Sequence, residues 1–369
     1  MSNKQDIANR MSPISKQRSS NIELFRIIIM LLIVAHHYVV NSGLSEKMYD
    51  DSFNMKLTYL YLWGMWGKTG INCFVFITGY YMCKSNITLR KILKLLLWII
   101  FYRFVIYIIF VCTGHQDFSI FSLLQLLLPI HNISDGFTGC YLVFFLFIPF
   151  LNILIHNLSK KEHFTLLLLC LFIYTIWDNL TFYHVKMNYV IWFSIIYIVA
   201  SYVRIHKVEE IMSNRKWGQL TLLSLLISIA SVVILIGLGH RKISVVYHFV
   251  SDSNAIMAVV VSICSFVFFK GLSLKHYSLI NALGAATFGV FLIHTNSGTM
   301  RQWLWKDFLD NVGHYSGNIY LHSVFCVLGV FIVCAIIDIL RLHLIEKPLF
   351  GLLDKYMAGR NNQFFLRWI

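Results

Sequence analysis

Residues 21–40 read NIELFRIIIMLLIVAHHYVV. A helix needs about 20 predominantly apolar residues to cross a bilayer core, and this stretch meets that length. It nevertheless carries Glu23, Arg26, His36 and His37. An ionisable side chain inside a span costs several kcal/mol unless it is solvated or paired, so each requires a partner or a task. From Arg26 to His37 the helix advances about three turns plus 20°, which puts both side chains on one face. Their axial separation is about 16 Å. His36 is rotated by about 80° from Arg26. Helix geometry therefore pairs His37, not its neighbour, with Arg26.

The rest of the chain extends the same reading. Of its 369 residues, 58% are hydrophobic and 13% charged, against about 25% charged in a soluble domain. That balance excludes disorder and argues against a soluble enzyme. Ten apolar segments are expected as spans, at roughly 22–41, 57–82, 89–112, 138–156, 163–178, 187–204, 217–238, 254–270, 278–297 and 319–344. The fifth is short. Segment 117–130 is too short to span and is expected to be interfacial or re-entrant, with a break at Pro129. The fold class expected is all-α: a polytopic membrane protein of about ten helices with no separate soluble domain. Residues 1–20 and 351–369 are expected as basic cytoplasmic tails around a membrane domain at 21–350. The first apolar run lacks a small-residue cleavage site and is expected to be retained.

The net charge of +14 would suit nucleic acid in a soluble chain, but here the basic residues flank apolar runs and point to anionic lipid instead. With a cytoplasmic N-terminus, 21 of the 31 Lys and Arg fall in cytoplasmic segments, 7 opposite, and Arg26, Lys68 and Arg103 lie inside spans. This is the positive-inside bias, and it implies both termini in the cytoplasm. The eight cysteines show no metal-ligand spacing and are expected to be small buried hydrophobes. No metal is expected.

Arg26 then sits near the cytoplasmic boundary and His37 deeper. That suits an anionic cytoplasmic substrate whose reactive end reaches a base, and histidine titrates near neutrality. Arg26 alone fits equally a residue snorkelling to headgroups, and so does Lys68. The second segment adds Asn72 and closely spaced glycines, which let helices approach or leave room for a ligand. His294 near the end of the ninth fits a hydrogen-bonded structural residue or a pocket group. Asp338 and Arg341, three apart on a helix, are expected to pair.

These stretches resemble the acyltransferase family 3 membrane proteins, which acylate sugars and other cell-surface polymers. The resemblance rests on IELFRIIIMLLIVAHHY, GINCFVFITGYYM, CYLVFFLFIPFLN, TFGVFLIHTNS and the closing IEKPLF, in that order from Asn21 to Phe350. It implies an O-acyltransferase in the bacterial inner membrane, with acetyl-CoA or another acyl-CoA as donor and no tightly bound cofactor. The acceptor implied is a hydroxyl on a lipid-linked or cell-surface polysaccharide. Carried over, His37 is the catalytic base and Arg26 handles the donor. Relatives have an arginine pair at the third span, where this chain offers Arg90, Lys91, Lys94 and Arg103. Arg90 and Lys94 are the further cations expected at the acyl-CoA phosphates. Many relatives have Trp before the Tyr of the central span, and this chain has Cys140 before Tyr141. Glu23, Lys68, Asn72, Tyr141 and His294 are the pocket residues expected, with Asn72 or Tyr141 as oxyanion donor. No GxSxG nucleophile is present, which favours direct transfer over an acyl-enzyme. A transporter or flippase for lipid-linked glycans is the other class considered, but paired internal repeats are missing. A polymerase would be expected to carry a large outer loop, and the longest here has about 25 residues.

Overall fold

The computed structural model describes residues 18–128, 136–181, 185–186 and 188–358. Residues 1–17 and 359–369 of the expected tails, and the expected break at Pro129, lie outside the described residues. Among the described residues the chain is all helix, with no strand. The helices of eight or more residues are α1 (Ser20–Val40), α2 (Met55–Gly64), α3 (Gly67–Met82), α4 (Leu89–Cys112), α5 (Ile120–Leu127), α6 (Phe137–Asn157) and α7 (Lys160–Leu180). They continue with α8 (Tyr189–Ile205), α9 (Asn214–Gly237), α10 (Ile256–Lys270), α11 (Ser278–His294), α12 (Gly298–Phe308), α13 (Ile319–Arg341) and α14 (Lys347–Ala358).

Among the described residues, six runs are long and apolar enough to cross a membrane: α1, α4, α6, α7, α9 and the continuous stretch Ile319–Asp354. Helices α11 and α12, bent by 97° at their break, make a seventh. The remaining three expected segments are helical but shorter. Segment 57–82 is divided into α2 and α3, α8 has 17 residues and α10 has 15. A helix can end early inside a bilayer only where the protein itself satisfies the freed backbone groups. Such a partner is present at the end of α10, where the Asn21 amide donates to the carbonyls of Phe269, Lys270 and Leu272, each at 3.0 Å.

Helix α1 is the axis of the bundle. Of its apolar window 61% is buried, against 22–44% for the other five long runs. It packs against α2, α3, α11 and α13, while α8 and α10 pack against α3. The outer helices turn bare apolar faces outward, such as Phe147, Phe150 and Ile153 of α6 and Leu222, Leu223 and Leu226 of α9. That is the distribution expected where hydrocarbon is the solvent. Close approach depends on missing side chains. A Cβ on Gly67 would lie 2.3 Å from the His36 ring, and one on Gly79 would lie 2.8 Å from Cβ of Ala200. Six of the eight cysteines are buried.

Loops that the charge bias assigns to one side meet at one end. Lys56 Nζ donates to the carbonyls of Tyr315, Ser316 and Gly317, and the Tyr61 hydroxyl bonds the carbonyl of Arg241. At the other end Arg90 forks onto Asp354 at 2.8 and 2.9 Å. There too the Tyr80 hydroxyl donates to Glu209 at 2.6 Å and accepts from Arg204 at 2.8 Å. Segment 120–127 is the short helix expected before the central span. It is amphipathic, with Ser119 capping it through Ser122 N.

Candidate active site

Arg26, Met30, Ile33 and His37 follow one another at spacings of four, three and four, a single stripe along α1. The stripe lines two cavities. The Arg26 end opens into a hollow of about 240 Å³ bordered by Thr78, Lys94, Trp98 and Tyr141. The His37 end opens into a larger one of about 600 Å³ bordered by Lys68, Arg103, Gln116, Thr138, Tyr189 and Arg301. Ile71 of α3, Phe137 of α6 and Phe291 of α11 line both and form the apolar septum between them. Helix α5 covers the larger cavity with Ser122, Gln125 and Leu126.

His37 does not stand alone. Its Nδ1 lies 3.0 Å from Nε2 of His294, whose own Nδ1 lies 2.6 Å from the Val290 carbonyl. A carbonyl can only accept, so the proton of His294 is on Nδ1 and its Nε2 is an acceptor. His37 Nδ1 is then the donor between the rings. This leaves Nε2 of His37 with a free lone pair. His294 is fully buried, and His37 is half-buried at the wall of the larger cavity. His294 does not itself line the His37 cavity; it lies behind His37 and fixes its tautomer.

His36 points elsewhere. Its Nδ1 bonds the Gly64 carbonyl at 2.6 Å, and its ring fills the space left by Gly67. It joins α1 to the break between α2 and α3.

The expected donor-binding cations separate. Arg26 faces the smaller cavity, and among the described residues its Nε is buried without a hydrogen-bond partner. Lys94 lines the same cavity but is paired with Glu346 at 2.5 Å. Arg90 borders neither cavity, and its fork onto Asp354 is exposed. Asp338 and Arg341 pair at 2.8 Å as expected, and Arg341 also reaches Glu346 at 2.7 Å. Asp338 further accepts from Trp98 Nε1 and the Tyr102 hydroxyl.

Of the other expected pocket residues, Lys68 lines the larger cavity with Nζ 2.5 Å from the Tyr189 hydroxyl. Tyr141 lines the smaller one, its hydroxyl 3.0 Å from Thr78 Oγ1. Glu23 pairs with Arg18 at 3.0 Å and packs against Gly284, outside both cavities. Asn72 is fully buried and spent on structure. It donates to the Ser253 carbonyl at 2.6 Å and accepts from Trp192 Nε1 at 2.9 Å. Sequence reasoning did not bring Arg103 and Arg301 to the site. The position of Arg103 inside an apolar run was a signal for it. The placement of Arg301 depends on the 97° bend that returns α12 to the cavity, which hydropathy does not register.

A further hollow, about 880 Å³, is a groove between α4 and α13 lined mostly by apolar side chains such as Ile109, Val333 and Ile337, with His294 and Arg341 also in its lining. Those three side chains are exposed and place the outer wall of the groove on the apolar surface of the bundle.

The chain is a polytopic helical bundle with a histidine pair at the wall of a polar cavity. Residues 19–339 match the family model described as an acyltransferase domain, and the chain belongs to acyltransferase family 3. It is a membrane acyltransferase. No curated protein and no solved structure showed a significant match to it.

Proposed function

We propose that the protein is a membrane O-acyltransferase that carries an acyl group, acetyl in the simplest case, from cytoplasmic acyl-CoA to a hydroxyl of a lipid-linked or cell-surface polysaccharide. The observation that carries this reading is the chain Val290 carbonyl, His294, His37, which presents an unprotonated ring nitrogen to a polar cavity. With the N-terminus in the cytoplasm of a bacterial cell, as the Lys and Arg bias implies, the Arg26 cavity faces the donor and the His37 cavity faces the acceptor.

The smaller cavity, at about 240 Å³, is below the range typical of a pocket for a whole drug-sized ligand. It suits the acyl-pantetheine end of the donor, with the nucleotide left outside and Arg26 meeting an anionic or carbonyl oxygen. The acyl end passes the septum of Ile71, Phe137 and Phe291 to reach His37. There Nε2 removes the proton of the acceptor hydroxyl as its oxygen attacks the thioester carbonyl. The carbon–sulfur bond breaks, and the proton passes from His37 to the departing thiolate. General-base assistance of this kind contributes about 10²–10⁴-fold, and holding both substrates in line adds to it. Of the two expected oxyanion donors, Asn72 is engaged in structure and Tyr141 lines the donor side of the septum.

Mass spectrometry of surface glycans from cells with and without the gene tests the reading. A fixed acyl increment on one sugar, present only with the gene, is the expected result. Identical glycans from both cells would refute it.

A further inference from the structure

The His37 cavity carries an electrostatic feature that the transfer reaction itself does not require. Three cations line it: Lys68 from the start of α3, Arg103 from the middle of α4 and Arg301 from α12. Its lining includes no Asp or Glu among the described residues. Among the described residues Arg103 Nη1 is buried without a hydrogen-bond partner, Arg301 Nε reaches only the Ser297 carbonyl at 3.3 Å, and Lys68 reaches only the hydroxyl and ring of Tyr189. In the smaller cavity, by contrast, Lys94 and Arg341 are matched by Glu346 and Asp338, and Arg26 alone of the three has no carboxylate partner among the described residues. Lys68 and Arg103 stand in apolar runs, where an uncompensated cation is costly, Arg301 adds an exposed third, and cations of one sign around a cleft focus a positive field into it.

We propose that Lys68, Arg103 and Arg301 form an anion subsite of the acceptor, so that the glycan acylated here carries a carboxylate or phosphate close to the reacting hydroxyl. The inference rests on the acyltransferase reading above and specifies its acceptor. The free Nε2 of His37 opens on this cavity, across the septum from Arg26, so the group recognised belongs to the acceptor and not to the donor. Two guanidinium groups suit a planar or tetrahedral oxyanion, which each can hold by paired N–H donors.

The test uses the full chain in lipid nanodiscs with acetyl-CoA and surface glycan isolated from cells lacking the gene. The glycan is offered untreated, carboxyl-reduced or dephosphorylated. Untreated glycan is expected to be acetylated. Whichever treatment removes the recognised anion is expected to lower the rate about ten- to a hundredfold, the range of hydrogen bonds to a charged group. The arm that loses activity tells carboxylate from phosphate. Arg301→Gln and Arg103→Gln are expected to raise KM for the untreated glycan, and the gap to wild type closes on the neutralised one. Equal rates on all three glycans overturn the subsite while leaving the acyltransferase reading intact. A raised KM for acetyl-CoA with an unchanged KM for glycan would give the cations to the donor and likewise overturn it. No acetylation of any glycan would overturn both.

Discussion

His36 and His37 are adjacent and chemically identical, yet they occupy different environments because a helix turns about 100° per residue. His36 holds the Gly64 carbonyl, and His37 holds a second histidine at the cavity wall. His36→Ala leaves a buried carbonyl without its partner, which costs about 1–3 kcal/mol. It is expected to lower thermal stability and membrane abundance while acylation per folded molecule stays near normal. His294→Ala removes the group that fixes the His37 tautomer. It is expected to lower kcat by roughly 10²-fold with KM for the donor little changed, and a change confined to KM would contradict a positioning role. Arg26→Lys keeps the charge but loses the planar fork. A rise in KM for acyl-CoA at normal abundance is expected, and an unchanged KM would make Arg26 a headgroup anchor. The alignment of Arg26 with His37 was legible from spacing alone. The contact of His37 with His294 was not, because 257 residues separate them and no local pattern encodes such a pairing.

Helix α3 is the element on which the two cavities depend. Gly67 admits the His36 ring, Lys68 faces the larger cavity, and Ile71 stands in the septum. Gly67→Ala would place a Cβ 2.3 Å from that ring, so overpacking of about 1–3 kcal/mol is expected, visible as a lower unfolding temperature. Ile71→Trp fills the passage. Acyl transfer is expected to fall sharply in this variant while binding of acyl-CoA at the Arg26 side survives, and full transfer through it would exclude the septum as the route. The helical character of every expected segment was legible from hydropathy. The bounds of α8 and α10 fall within two residues of those expected, but the division of 57–82 into α2 and α3 was not legible, because the break is met by His36, which bonds Gly64 and packs on Gly67 from a helix distant in sequence.

At the scale of the whole molecule, the two ends differ in their ties. At the Lys56 end, Asp51 accepts from the Tyr315 hydroxyl and from Asn54 at 2.8 Å. These bonds, the one from Tyr315 foremost, hold its carboxyl below the usual value. A carboxylate whose folded pKa is depressed stabilises the fold above its unfolded pKa, and that contribution fades as pH falls through the folded value. The stability difference between wild type and Asp51→Asn is therefore expected to shrink as pH drops below about 4. A difference independent of pH would contradict the tie. Sidedness follows from the charge bias: cysteines introduced in 205–216 are expected to label only from the cytoplasm, and those in 113–119 only from outside. Labelling of 205–216 on intact cells would invert the assignment of donor and acceptor cavities. The claim on which the account turns is that His37 is the base of transfer. Acyl groups per glycan repeat, measured by mass spectrometry in cells lacking the gene and complemented at equal membrane levels, test it most directly. His37→Ala is expected to lower the incorporation rate by about 10²–10⁴-fold. Equal incorporation by wild type and His37→Ala would contradict the account.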